Sequence, residues 1–104
     1  MVGDEVIADA GRRLADAAGP GARVVLFGAH ARGEARPGSD LDFLVIEPLV
    51  ERPRAESARL RVAVGRIGAP VDVIVRSARD AERWGMVEGT LMHTALTEGR
   101  VLHG

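Results

Sequence analysis

The chain contains no cysteine and no lysine among its 104 residues. The first absence excludes disulfides and thiolate metal sites. The second makes all 14 basic residues arginine, which is the better partner for the forked oxygens of phosphate and carboxylate. An excess of one charge is missing as well. A formal net charge of -1 gives no general attraction to nucleic acid or to an acidic membrane, so neither a membrane nor direct nucleic-acid contact is expected. No apolar run approaches membrane-spanning length, and the start Met1-Val2-Gly3-Asp4-Glu5 lacks a basic region followed by an apolar stretch. A cytoplasmic protein is the default expectation.

What is present suits a folded domain: 46% hydrophobic and 28% charged residues argue against disorder. The length allows a single core, so residues 1–104 are expected to form one domain without a second lobe. Asp4 reads as an N-cap, and Val6, Ile7, Ala10, Leu14 and Ala17 follow at helical spacing, predicting a helix over about 4–18 that Gly19-Pro20-Gly21 ends. Arg23 to Phe27 is a short apolar strand, central in a sheet because it is apolar on both faces. Ala29 to Ala35 reads as a short helix, and Arg36-Pro37-Gly38-Ser39 as the turn that returns the chain to a strand from Asp40 to Ile46. That return is too brief for a parallel crossover, so the first two strands should be antiparallel and the sheet mixed.

Pro48 closes the second strand, and Pro53 opens a helix with Leu60, Val64 and Ile67 on one side. Val71 to Val75 is a third strand in which Asp72 and Ile74 share a face and the three valines share the other. Ser77-Ala78-Arg79-Asp80 resembles a capping box, and the helix it opens carries Trp84 and an apolar stripe of Val87, Leu91 and Ala95 on to Gly99. An apolar patch left exposed there would mark a partner surface. Arg100 to His103 adds a short edge strand. The class is α/β (α+β): a small mixed sheet flanked by helices.

The stretch from Val24 to Ile46 organises the rest. An apolar run breaks at Gly28, passes through a polar segment, and re-enters an apolar run that opens with Asp40 and Asp42. Alternation along a strand points both carboxylates one way and Leu41, Phe43 and Val45 the other. A buried Asp42 needs a cation or hydrogen bonds to satisfy it. Asp72, set between valines in a run expected to be buried, reads as a third ligand more readily than as an edge-strand surface residue.

Gly28-Ala29, ten residues, then Asp40-Leu41-Asp42, with Asp72 downstream in an apolar strand, resembles the glycine-serine and Asp-x-Asp motif of the DNA polymerase beta-like nucleotidyltransferase superfamily. Among its branches the chain is most similar to the minimal nucleotidyltransferases of prokaryotes over nearly its whole length. The likeness includes the loop Ala31-Arg32-Gly33-Glu34-Ala35-Arg36-Pro37 and the closing segment Leu96-Thr97-Glu98-Gly99-Arg100-Val101-Leu102.

The resemblance implies a nucleotidyltransferase fold and in-line attack at an α-phosphate, with two Mg²⁺ ions roughly 3.5–4 Å apart. Asp40, Asp42 and Asp72 would be the catalytic and metal-holding carboxylates, with Asp72 also orienting or deprotonating the acceptor hydroxyl. Gly28, Ala29, Arg32 and Ser39 would meet the nucleoside triphosphate, ATP by implication. Without metal, three clustered carboxylates repel and at least one pKa should rise. Ala29 departs from the motif, because the family has serine there, and the lost hydroxyl contact to phosphate is worth about 1.5–3 kcal/mol. His30 stands where the family often has arginine.

Relatives of this type imply an antitoxin that pairs with a helical HEPN ribonuclease toxin and transfers AMP to a tyrosine on it, or neutralises it by binding alone. Larger relatives carry an acceptor-holding domain for which 104 residues leave no room, so a small acceptor or a partner chain is expected.

Overall fold

The structure, a computed structural model, describes residues 2–104. Its order is α1 (Asp4–Ala18), β1 (Arg23–Phe27), α2 (Ala29–Arg32), β2 (Leu41–Glu47), α3 (Pro53–Val64), β3 (Val71–Ser77), α4 (Ala78–Trp84), α5 (Leu91–Glu98) and β4 (Arg100–His103). The four strands form one mixed sheet in the order β3-β2-β1-β4. β1 pairs antiparallel with β2 and β4, and β2 pairs parallel with β3. No helix among the described residues is long and apolar enough to cross a membrane.

Two apolar layers enclose the sheet. On one face Leu26, Leu41, Phe43, Val45, Val73 and Val75 pack against Ile7, Ala10 and Leu14 of α1 and Leu60 and Val64 of α3. On the other, Val25, Leu44 and Ile46 pack against Ala81 of α4 and Met92 and Ala95 of α5. β2 lies between two strands and under helices on both faces, which is why Phe43 through Ile46 are buried without interruption. Complete burial of a Leu or Phe side chain contributes roughly 1.5–3 kcal/mol.

Four local expectations differ from what forms. Gly3, not Asp4, is the N-cap of α1, and Asp4 and Glu5 occupy the first turn, where negative charge suits the helix dipole. α2 stops at Arg32 because Gly33 turns left-handed at φ 73° and the Glu34 amide bonds back to the Ala29 carbonyl at 2.9 Å. The single C-terminal helix is two. α4 ends at Gly85, and Thr90 starts α5 by accepting from the His93 amide at 3.1 Å while its hydroxyl bonds the Val87 carbonyl at 2.7 Å. Trp84, Met86, Val87 and Leu91 consequently line an exposed corner instead of a helical stripe. Finally, β3 is an edge strand and Asp72 is exposed, because nothing pairs beyond β3 in the sheet.

Candidate active site

The site is assembled at the end of the sheet where β1 finishes and β2 and β3 begin. Phe27, the last residue of β1, is the register partner of Asp42, and Asp42 is in turn the register partner of Asp72. Adjacent strands lie about 4.8 Å apart, and register partners project on the same face. Both aspartates therefore stand on the face that α4 and α5 cover further along, beyond the reach of those helices. Asp40 precedes β2 by one residue and is exposed, whereas Asp42 is half-buried.

Burial raises the Asp42 pKa most, and the charges of Asp72 and Asp40 push it further in the same direction; His30 and Arg32 oppose them. The three carboxylates thus interact, with two cationic or potentially cationic side chains beside them. Their oxygens are a hard donor set of the kind that suits Mg²⁺, whose remaining positions are filled by water and phosphate. Among the described residues, however, no three acid or histidine side chains converge closely enough to hold an ion by themselves. The donor set fits such an ion by its chemistry, and the aspartates would have to turn inward around it.

Gly28 is fixed by this carboxylate. Its backbone, at φ 76° and ψ -158°, lies in a region essentially reserved for glycine, and a Cβ there would collide with Oδ2 of Asp42. The chain can turn from β1 into α2 against Asp42 only because the side chain is missing. The Gly28 carbonyl accepts from the Ala31 and Arg32 amides at 3.1 and 3.2 Å. Ala29 and His30, in the first turn, have no carbonyl upstream within the helix for their own amides.

The other sequence candidates sit around this turn. Arg32 is exposed and pairs with Glu34 at 3.2 Å, a surface contact worth at most about 1 kcal/mol that an incoming phosphate can displace. The Ser39 hydroxyl accepts from the Arg36 amide at 2.8 Å, so it shapes the return turn while keeping its own proton to donate. A His30 ring nitrogen lies 3.4 Å from the Ser39 carbonyl, joining α2 to that turn.

Two groups escaped the sequence reading. Glu47, at the far end of β2, is buried with one carboxylate oxygen unpartnered. Burial and the neighbouring Glu56 push its pKa up to about 7, while Arg59, donating to Glu56 at 2.7 and 2.8 Å, holds Glu56 down at about 2. The signal for Glu47 was present, an acid closing the apolar run from Phe43 to Ile46 just before Pro48. Arg54 and Arg61 of α3 flank a cavity that Asp72 also lines. Their seven-residue spacing, which sets both on one stripe of α3 beside Leu60 and Val64, was the available clue.

A sheet of this order, with a glycine-only turn pressed against one of two register-paired aspartates, defines a nucleotidyltransferase fold. The comparison with family models agrees: the nucleotidyltransferase domain model matches residues 11–96, and the chain belongs to that family. A bifunctional uridylyltransferase/uridylyl-removing enzyme of Azospirillum brasilense is 34% identical over 83 residues. The match covers 78% of this chain and 9% of that enzyme.

Proposed function

We propose that the chain transfers AMP from ATP to a hydroxyl on a partner protein, a HEPN-type toxin that it thereby neutralises. The observation that carries the reading is the pairing of Asp42 with Asp72 across two strands, with Gly28 held open against Asp42. Such transfer joins an acceptor oxygen to the α-phosphorus, breaks the bond from that phosphorus to the bridging oxygen, and releases pyrophosphate. Asp72, exposed at the edge of the site, takes the hydroxyl proton. The first-turn amides of α2 and the Arg32 guanidinium receive phosphate oxygens. Asp40 and Asp42 hold Mg²⁺, which when bound neutralises the triphosphate and the leaving group.

The test is incubation of the chain with Mg²⁺, the HEPN-type protein and either α-labelled ATP or α-labelled UTP. UTP is included because the similar bifunctional enzyme is named for uridylyl transfer. Label on the partner from ATP is the expected result; label from UTP alone would correct the nucleotide, and none from either would overturn the transfer.

Ala29 supports a second reading, in which the chain neutralises its partner by binding alone. The alanine removes the hydroxyl that the family places beside the phosphates. An Asp40→Asn and Asp42→Asn double variant that still protects cells from the toxin decides for this reading, and loss of protection with the complex intact decides against it.

A further inference from the structure

The strand that carries Asp72 has an open edge. The Pro70 carbonyl accepts from the Leu41 amide at 2.9 Å and so faces β2. Backbone groups alternate sides along a strand, which directs those of Asp72 and Ile74 toward β2 and those of Val71, Val73 and Val75 outward. One outward carbonyl is already closed, because Arg76 Nη1 donates to Val75 O at 2.8 Å. The amides and carbonyls of Val71 and Val73 are left without a neighbouring strand.

α3 runs alongside this edge. Between them lies a cavity of about 240 Å³ lined by Arg54, Ser57, Ala58, Arg61, Asp72 and Val73. Both arginines are exposed, neither has a carboxylate partner among the described residues, and both line the same cavity. A second cavity of about 580 Å³ shares Arg61 and continues the basic wall to Arg66 and Val71. Ser57 and Ala58, both small, leave room for a backbone between the wall and the strand.

These features select a ligand. Unpaired guanidinium groups call for carboxylates or phosphates. Free strand amides and carbonyls call for another main chain in extended form, which a phosphodiester backbone does not supply. The Asp72 carboxylate, on the strand being extended but on the sheet face away from α3, calls for a hydroxyl on that other face.

We propose that the groove between α3 and the open edge of β3 binds an extended acidic peptide segment as an added strand, paired to Val71 and Val73, with its acidic side chains clamped by Arg54 and Arg61 on the α3 face and a hydroxyl side chain on the opposite face reaching Asp72. This rests on the reading of a protein hydroxyl as acceptor. Binding of the segment, however, is measured without nucleotide or Mg²⁺, so its failure and the failure of transfer are separate results.

The probe is the fluorescein-labelled nonapeptide Val-Asp-Val-Asp-Tyr-Asp-Val-Asp-Val, whose tyrosine falls on the face opposite its aspartates, titrated with the whole chain and followed by anisotropy. Saturable binding is expected, weakened by about tenfold or more in an Arg54→Ala and Arg61→Ala double variant, a loss of about 1.4 kcal/mol. Thermal unfolding of that variant should match the parent, since both side chains are exposed. The same peptide with alternate amides N-methylated should lose binding to a similar extent, and it tests strand addition without altering the protein. No binding by the parent peptide, or equal binding after N-methylation, overturns the proposal. So does an oligothymidine that binds more tightly and depends on the same two arginines, which would make the groove a nucleic-acid surface.

Discussion

Asp42 and Asp72 are thirty positions apart in the chain and face each other across the parallel pair of β2 and β3. Like charges so placed are tolerable only if one holds its proton longer, if cations stand near, or if an ion is bound between them. The upward shift of the Asp42 pKa and the opposing influence of His30 and Arg32 are the first two of these. Several behaviours of the protein follow from this pair and from the turn that presses on it.

Replacing Asp42 by Asn removes the repulsion. Because the folded-state pKa of Asp42 is raised, its charge weakens the fold increasingly as pH climbs above the ordinary carboxylate range. Without divalent ions the Asn variant should therefore unfold at a higher temperature than the parent at pH 8, and nucleotide transfer should be lost. Adding Mg²⁺ should raise the melting temperature of the parent and leave the variant unchanged. Calorimetric scans with and without Mg²⁺ check this, and an equal rise in both proteins would place the ion elsewhere.

Gly28→Ala should damage both the fold and the site. The added methyl meets Asp42 Oδ2 and sits where only glycine is at ease, so a loss of about 1–3 kcal/mol in stability is expected. Gly33→Ala, where a Cβ meets nothing and only the left-handed φ is unfavourable, is the control and should cost less. Urea unfolding of both variants makes the comparison.

Ala29→Ser restores a hydroxyl at the start of α2. A charged hydrogen bond to phosphate is worth about 1.5–3 kcal/mol, so transfer should rise by roughly one to two decades if that contact limits the rate. Single-turnover kinetics with labelled nucleotide provide the measurement. An unchanged rate would mean that the backbone amides already supply what the phosphate needs.

At the opposite end of β2, Glu47→Gln separates structure from chemistry. The raised pKa of Glu47 means that its contribution is favourable at low pH and is lost as pH rises toward and past about 7. A glutamine amide donates to Glu56 at every pH, so the variant should gain roughly 1–2 kcal/mol over the parent at pH 8 and little at pH 4. Chemical unfolding at the two pH values reads the difference, and a variant less stable than the parent at pH 8 would contradict the assignment. Transfer activity should be unaffected, because Glu47 lies at the other end of the strand from Asp42.

Much of the fold was legible from periodicity. The strand limits of β1 and the antiparallel return from β1 to β2 depend only on local spacing and on loop length. The break between α4 and α5 was not legible. Val87, Leu91 and Ala95 keep a helical rhythm, and only the Thr90 cap and the packing of Met92 and Ala95 under the sheet show that the rhythm is interrupted. The exposure of Asp72 was also missed, because apolar neighbours in a strand indicate burial of one face and are silent about the strand's place in the sheet.

By itself the amino-acid sequence determined which residues could serve together: a glycine, two aspartates ten residues beyond the turn it opens, and a third acid in a later strand. That much is chemistry and spacing, and both are local. Only the tertiary structure decided that β3 lies parallel to β2 in the register that sets Asp72 opposite Asp42, and that its outer edge stays open beside the arginines of α3. Sheet order and register come from how distant apolar faces pack against one another, and a local window of sequence holds no record of that packing.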